Sequence, residues 1–289
     1  MESLAETLRT KRFGVVLSAG YFGFFGHAGL LAALERGGLR PAGWAGSSAG
    51  ALVAALGASG MSAADALGLM TATQKRDFWD PAPLSLLVDT LSGRKATGIL
   101  RGQRFRELLE SRLPVRTFEA CREPLVIVTS DITNAEPRVH TRGDLPSAVA
   151  ASCAYPGLFR TVEDGATQLW DGGLIDKAPL VALTDHVALD ALLVLYLPSD
   201  TKQAARERPK RHGYVGGLAQ GLAAVRHEHY VLQAKLTEAR GIPVYELSPR
   251  LTPLGPSRLH LGAEAFREAE RFSETALLSA AEAARAYAR

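Results

Sequence analysis

The stretch that decides the fold is Gly46-Ser47-Ser48-Ala49-Gly50, a Gly-x-Ser-x-Gly pentapeptide between a short apolar run and an apolar helix. A serine oxygen becomes a usable nucleophile when a sharp strand-to-helix turn lifts it out of the backbone. Glycines two positions before and after the serine leave room for that turn. The pentapeptide therefore predicts a nucleophilic Ser48. Because the chain contains 28 glycines, an ordinary tight turn without chemistry is the alternative interpretation.

Short apolar runs alternate with helical segments on both sides of this turn. The pattern predicts strands at 13–18, 43–45, 124–131, 169–173, 191–197 and 243–247, with 138–141 paired beside 124–131. It predicts helices at 26–36, 49–57, 61–91, 105–113, 146–153, 214–240 and 261–288. Strands that alternate with helices indicate an α/β fold, in which a mostly parallel sheet is covered by helices on both faces.

Length and composition are those of an ordinary globular protein. With 289 residues, 47% hydrophobic and 22% charged, we expect a single domain over 1–289, with a catalytic core at 13–197. Residues 198–289 are predicted to form a basic loop and a C-terminal helical extension. The net charge of +3 does not indicate nucleic-acid binding. Cys121 and Cys153 cannot form a disulfide framework, and the sequence lacks Cys/His spacing typical of a metal site.

The sequence predicts a cytoplasmic protein. The charged N-terminal residues are not followed by a clear signal-peptide core with a cleavage site. The apolar stretch 13–26 is too short to span a bilayer, and 41–64 is interrupted by five glycines, so buried core is the better interpretation of both. The basic run at 202–212 is interpreted as a solvated loop; peripheral contact with anionic lipid headgroups is the alternative.

Asp171 is the predicted base for Ser48. It ends an apolar strand and directly precedes Gly172 and Gly173, a setting similar to that of the serine turn. Because the carboxyl ends of parallel strands meet at one edge of a sheet, we expect the two side chains to lie close together. None of the seven histidines stands in such a turn. His27 is either a structural residue or a proton carrier, and the structural role is preferred.

The loop after the first predicted strand is expected to stabilise a tetrahedral oxyanion. It contains Ala19, Gly20 and Tyr21, whose backbone N–H groups are predicted to point to the space above Ser48. Each such donor contributes about 3 to 4 kcal/mol to transition-state stabilisation in serine hydrolases. The loop is therefore as important to the predicted chemistry as the nucleophile.

Six segments in the same order resemble the patatin-like phospholipase family. They comprise the glycine loop and the helix with His27-Ala28-Gly29 (17–31), the serine turn and its helix (46–56), the approach to an amphipathic helix (98–109), a central strand (128–131), a segment with the pattern Ala-Ser-x-Ala-x-Pro-x-x-Phe (150–159) and the Asp-Gly-Gly turn (171–174). The resemblance covers roughly residues 13 to 197 and implies a patatin-like three-layer fold with added C-terminal helices.

The resemblance also implies an activity, namely hydrolysis of carboxylic esters in phospholipids or lysophospholipids. Ser48 would attack the acyl carbonyl, Asp171 would serve as general base, and neither a metal nor an organic cofactor would take part. Two alternatives are open at this point. One is an acyltransferase that uses the same pair of residues, and the other is a non-catalytic lipid-binding protein with an impaired oxyanion loop.

The first loop departs from the family pattern. The family usually has three glycines followed two positions later by a basic residue, and here Gly23 stands at the position of that residue. The loop is also unusually aromatic, and Tyr21 and Phe22 are candidates for an acyl groove or a lid. For Phe24 and Phe25, at the start of the helix, burial in the core is an equally good interpretation.

Overall fold

The computed structural model describes residues 2–81, 97–198, 214–252, 254–255 and 258–285. The predicted basic run at 202–212 and the predicted helical residues 82–91 lie outside the described residues. Within these ranges the ten strands are β1 (Phe13–Leu17), β2 (Gly43–Gly46), β3 (Gly98–Leu100), β4 (Leu125–Asp131), β5 (Glu136–His140), β6 (Gly157–Phe159), β7 (Val162–Asp164), β8 (Thr167–Asp171), β9 (Ala191–Leu195) and β10 (Val244–Leu247).

Ten α-helices accompany them in the same described ranges. They are α1 (Leu4–Arg9), α2 (Phe24–Arg36), α3 (Ala49–Ala58), α4 (Ala63–Ala72), α5 (Lys75–Phe78), α6 (Gln103–Arg112), α7 (Leu145–Ser152), α8 (Leu180–His186), α9 (Tyr214–Ala239) and α10 (Gly262–Leu278). The predicted helix at 261–288 is too long, because α10 ends at Leu278 and a separate 3₁₀ turn follows at Ala281–Ala284.

The predicted fold class is confirmed. Eight strands form one sheet, in which β10, β9, β1, β2 and β4 are neighbours in this order and run parallel to one another. The alternation of side chains along β1 gives the sheet two buried faces. Phe13, Val15 and Leu17 belong to the core beneath α2 and α3, whereas Val16 belongs to the core beneath α8 and α9. A second sheet contains β3 and β6.

The strand that carries Asp171 runs in the opposite direction to the prediction. Ile127 in β4 pairs with Gly46 of β2 and with His140 of β5, so these two strands flank β4 on opposite sides. Thr129 pairs with Arg138 of β5 and with Asp171 of β8. Strand β8 therefore lies on the same side of β4 as β2, is antiparallel to β4, and runs head-on towards the end of β2.

The C-terminal part of the chain completes the sheet in addition to supplying helices. Strand β10 pairs in parallel with β9, and α10 packs closely against α2. A Cβ at Gly29 of α2 would lie 2.5 Å from the carbonyl oxygen of Phe266, so the absence of a side chain permits this close approach. Arg36 at the end of α2 forms a 2.9 Å ion pair with Glu270 of α10.

None of the helices in the described ranges is long and apolar enough to cross a lipid bilayer. Stretch 13–26 contains β1 and the start of α2, and stretch 41–64 contains β2 and α3. The interpretation of both as buried core is confirmed, since β1, β2 and nearly all of α3 are buried.

Candidate active site

Ser48 lies on a strained turn between β2 and α3. Its backbone has φ 55° and ψ −123°, a conformation that residues other than glycine rarely adopt. The turn is held by Ser152, whose Oγ accepts a 2.9 Å hydrogen bond from Ser48 N–H and donates a 2.7 Å hydrogen bond to Val128 O. The Sγ of Cys153 lies 3.2 Å from Ser48 O and completes the support on the other side.

The glycines of the pentapeptide are required by close backbone contacts. A Cβ at Gly46 would lie 2.4 Å from the carbonyl carbon of Gly50, and a Cβ at Gly50 would lie 2.1 Å from Leu17 O. Both distances are shorter than any van der Waals contact. The structure therefore confirms the prediction that the turn has no room for side chains at these two positions.

Ser48 and Asp171 contact each other directly. Ser48 Oγ donates a 2.6 Å hydrogen bond to Asp171 Oδ2, while Asp171 Oδ1 accepts a 2.8 Å hydrogen bond from Gly173 N–H. Ser130 Oγ fixes the same strand end by donating to Asp171 O at 2.8 Å. Each carboxylate oxygen thus has a donor, and one oxygen is directed to the serine.

The Asp-Gly-Gly turn is as crowded as the serine turn. A Cβ at Gly172 would lie 2.0 Å from Val128 O, and a Cβ at Gly173 would lie 2.3 Å from the Cβ of Ala19. These contacts bring the turn against both β4 and the loop that follows β1. The two predicted motif glycines therefore let Asp171 pack closely against its neighbours.

Burial raises the pKa of Asp171 to about 6, because desolvation disfavours the carboxylate. The hydrogen bonds from Ser48 and Gly173 and the positive charge of Arg226 act in the opposite direction and limit the rise in pKa. The result is a carboxylate that is ionised near neutral pH and more basic than an exposed aspartate.

The three predicted oxyanion donors differ in their availability. Ala19 N–H donates a 2.7 Å hydrogen bond to Lys177 O, so the prediction that Ala19 contributes a free donor is corrected. The N–H groups of Gly20 and Tyr21 donate to no other residue in the described ranges, and both residues line the cavity above Ser48. The N–H group of Ala49, at the start of α3, also donates to no other described residue, and Ala49 also lines the cavity. The sequence did not predict this donor.

Gly23 cannot accept a side chain without rearrangement. It is the N-cap of α2, and its Cβ would lie 2.3 Å from Leu197 Cδ1. A positive charge reaches the site from elsewhere, because Arg226 of α9 lines the same cavity and its Nη1 donates a 3.1 Å hydrogen bond to Gly173 O. The sequence contained no local signal for this residue, which is 55 positions beyond Asp171.

Ser48 and Asp171 open into a cavity of about 660 Å³, within the usual range for small-molecule sites. Its walls are mainly apolar and come from α3, α4, α6 and the residue that follows α6: Leu52, Leu56, Leu69, Met70, Phe105, Leu108, Leu109 and Leu113. Three of these residues form the apolar side of the amphipathic helix predicted at 105–113. The sequence pattern therefore located a wall of the cavity, although it did not indicate what the helix faces.

The aromatic loop divides between the cavity and the core. Tyr21 and Phe22 line the cavity, in contact with each other at a ring-centroid distance of 4.8 Å, and Tyr21 is 61% exposed. Phe25 is fully buried in the core, and Phe24 lies between the two, since it lines the cavity and packs against core residues. The assignment of Tyr21 and Phe22 to an acyl groove stays a prediction.

Histidines do not contribute to this cavity in the described part of the chain; His212 lies outside that part. His27 is buried and its Nε2 donates a 2.8 Å hydrogen bond to Ser18 O, beneath the loop that follows β1. Burial lowers the pKa of His27 to about 4, so the ring is neutral. These observations favour the structural role of His27 over that of a proton carrier.

The residues that hold the serine turn were the least predictable part of the site. Ser152 belongs to the Ala-Ser-x-Ala-x-Pro-x-x-Phe segment that the sequence singled out, but its contact with Ser48 N–H spans 104 positions.

Among the described residues, no group of three or more His, Cys, Asp or Glu side chains is arranged to hold a metal ion.

A family model described as patatin-like phospholipase matches residues 15–184. The chain is 28% identical over 177 residues to an uncharacterized NTE family protein of Mycobacterium tuberculosis, covering 61% of this chain and 29% of that protein. It is also 28% identical over 180 residues to the neuropathy target esterase sws of Drosophila grimshawi, covering 61% of this chain and 12% of the relative.

A second uncharacterized NTE family protein of Mycobacterium tuberculosis is 28% identical over 196 residues, covering 68% of this chain and 52% of that protein. The chain thus spans about half, or less, of the length of these relatives. Among solved structures, VipD from Legionella pneumophila gives a TM-score of 0.45 at 14% identity, over 92% of this chain and 66% of that chain. The human GIVD cytosolic phospholipase A2 gives 0.42 at 13% identity, over 92% and 57%.

Proposed function

This chain belongs to the patatin-like phospholipase family, and from that membership and the geometry of its cavity we propose that it is a serine acyl hydrolase. The substrate is a carboxylic ester in a lipid, such as a phospholipid or a lysophospholipid. The observation that carries the proposal is the 2.6 Å hydrogen bond from Ser48 Oγ to Asp171 Oδ2 inside an apolar cavity.

In the first step Ser48 Oγ attacks the acyl carbonyl carbon while its proton passes to Asp171 Oδ2. With a pKa raised to about 6, Asp171 is mostly ionised at pH 7 and can accept this proton. The tetrahedral intermediate collapses as the C–O bond to the alcohol breaks, and Asp171 returns the proton to the leaving alkoxide. Water then attacks the acyl-serine ester by the same route and releases the fatty acid.

The charge on the carbonyl oxygen needs donors that are not otherwise engaged. Gly20, Tyr21 and Ala49 line the cavity, and their N–H groups have no partner among the described residues. The N-terminus of α3 adds partial positive charge next to Ser48, and Arg226 brings a full positive charge to the Asp-Gly-Gly turn. We assign the oxyanion site to these three N–H groups.

The walls of the cavity suit an acyl chain. The leucines of α3 and α6, together with Phe105, form an apolar surface that continues from Ser48. Burial of an alkyl chain against such a surface contributes about 0.8 kcal/mol per methylene group. A lipid ester would therefore gain binding energy from its chain, which a short water-soluble ester would not.

A fluorophosphonate probe tests this function directly. Wild type is expected to be labelled on Ser48 and to release fatty acid from lysophospholipid micelles, whereas Ser48→Ala loses both properties. Ser147→Ala is a matched control, because Ser147 lies on α7 outside this cavity. Absence of labelling in folded wild type would instead support a non-catalytic lipid-binding protein. Ester products formed with an added acceptor alcohol would identify an acyltransferase.

A further inference from the structure

Helix α9 exposes an apolar stripe that no other described element covers. Its members and their exposed fractions are Leu218 (59%), Leu222 (39%), Val225 (68%), Leu232 (63%) and Leu236 (47%). They make up five of the twelve large apolar side chains that are exposed in the described part of the chain. Contiguous apolar surface of this kind usually marks an interaction site.

The stripe is separate from the face by which α9 packs on its own domain. Ala223, Tyr230, Ala234 and Thr237 are buried on that other face, where Tyr230 and Ala234 join the core beneath α8 and α9. A helix needs one apolar face to pack on a sheet. The second apolar face of α9 therefore has no packing partner among the residues that the structure describes.

The spacing of the stripe is that of a coiled coil. Leu218, Leu222, Val225, Leu232 and Leu236 follow one another at intervals of four, three, seven and four residues. These are the a and d positions of a heptad repeat, and His229 occupies the one central position that is not apolar. A stripe of this period is suited to pack against another helix with the same repeat.

Two charged residues on one flank of the stripe indicate which helix that is. Glu228 and Lys235 are exposed and occupy equivalent positions in successive heptads. If two copies of α9 pair antiparallel, Val225 lies opposite Leu236 of the second copy and His229 lies opposite Leu232 of the second copy. Glu228 then lies next to Lys235 of the second copy. By two-fold symmetry, Lys235 of the first copy lies next to Glu228 of the second copy. Parallel pairing would instead bring Glu228 to the level of Gln233, which is uncharged and is buried against Asp176 of its own domain, so Glu228 would gain no opposite charge.

From this complementarity we propose that α9 is the contact surface for a second copy of the chain, paired antiparallel around a two-fold axis. Such an interface is self-complementary, which a two-fold dimer requires. On the other flank Arg226 is bonded to Gly173 O and Gln233 is buried and bonded to Asp176, both within their own domain, so no like charges meet there. The proposal does not depend on the proposed enzymatic activity.

The mass in solution is the first test. One pair of helices is a small interface, so we expect a dissociation constant in the roughly micromolar range. Light scattering coupled to size exclusion should therefore give twice the 30.8 kDa of one chain at high concentration. Leu232→Glu should weaken the dimer by about a hundredfold or more, because it places a charge in the apolar seam. Leu278→Glu is the control, since Leu278 is 77% exposed on α10.

Charge exchange is the second test, and it distinguishes the antiparallel pair from any other use of the stripe. Glu228→Lys alone and Lys235→Glu alone each turn both contacts into repulsions, so each should weaken the dimer by roughly tenfold. The double variant should recover the wild-type dissociation constant. An equimolar mixture of the two single variants should form a heterodimer, because every contact in it is again between opposite charges.

Three results would overturn the proposal. The first is a monomer at all concentrations up to about 100 µM. The second is a dimer that Leu232→Glu leaves unchanged while it folds normally by circular dichroism. The third is loss of binding to anionic lipid vesicles in Leu232→Glu without any change in mass, which would assign the stripe to a membrane surface.

Discussion

Ser48 Oγ donates a 2.6 Å hydrogen bond to Asp171 Oδ2, although the strands that precede the two residues run in opposite directions. Both strands lie on the same side of β4. Strand β8 ends at Asp171 opposite Thr129 of β4, whereas β2 ends at Gly46 opposite Ile127, two residues earlier in β4. At about 3.3 Å per residue this leaves roughly 7 Å between the strand ends, and the two turns fill that space.

Replacement of Asp171 tests its proposed role as the base. Asp171→Asn keeps the shape of the side chain but removes the proton acceptor, so we expect kcat to fall by about 10² to 10⁴-fold with little change in Tm. The measurements are fatty-acid release and thermal unfolding. Asp164→Asn is the control, because Asp164 pairs with Arg138 away from the cavity. If Asp171→Asn kept most of its activity, another group would have to be the base.

The pH dependence follows from the raised pKa of Asp171. The residue accepts a proton only as a carboxylate, so kcat/KM should be low in acid, rise through about pH 6 and level off above it. Initial rates with a soluble ester, measured across buffers of constant ionic strength, give this profile. An acid limb near pH 4, the ordinary range of an exposed aspartate, would contradict the assignment.

Arg226 should influence that acid limb. Its positive charge lowers the pKa of Asp171, so Arg226→Met should let the pKa rise and move the acid limb to higher pH. The loss of kcat/KM relative to wild type should therefore be larger at pH 6 than at pH 8. Arg226→Lys retains the charge and should keep the limb closer to its wild-type position. Coincident profiles for wild type and Arg226→Met would exclude an electrostatic role.

The serine turn should not tolerate a methyl group at its second glycine. In Gly50→Ala the new Cβ would meet Leu17 O at 2.1 Å, so we expect a loss of unfolding free energy of about 3 kcal/mol or failure to fold. Gly68→Ala on α4 has no atom within 4 Å of its Cβ and should stabilise the protein by about 0.5–1 kcal/mol. Denaturant unfolding compares the two; equal effects would contradict the packing argument.

Ser152 is expected to act through the position of Ser48. Ser152→Ala removes the acceptor for Ser48 N–H and the donor to Val128 O, which should cost about 1–3 kcal/mol of stability. Because the strained turn then relaxes, kcat should also fall at temperatures at which the variant is still fully folded, so the loss of activity is not explained by the lower Tm. Ser147→Ala on the same helix is the control. If folded Ser152→Ala were labelled by a fluorophosphonate as fast as wild type, the turn would keep its conformation without Ser152.

The sequence by itself determined the local parts of the molecule. Short apolar runs bounded by glycine and charge predicted β1, β4 and β9, because a buried parallel strand has no polar face. Gly46 and Gly50 predicted the sharp turn at Ser48, because their role depends on neighbours a few residues away. Asp171 was found in the same way, from a strand followed directly by two glycines.

Only the tertiary structure decided the relationships between distant segments. An apolar run carries no direction, so the sequence could not reveal that β8 is antiparallel and meets β2 head-on. Nor could it reveal that Ala19 N–H is bonded to Lys177 O, because the availability of a donor depends on acceptors far along the chain. The hydrogen bond from Arg226 to Gly173 O was unpredictable for the same reason, since it joins residues that are 53 positions apart. Local backbone chemistry can be read from neighbouring residues, whereas pairing, charge and hydrogen-bond satisfaction at the site arise from contacts between segments that only folding brings together.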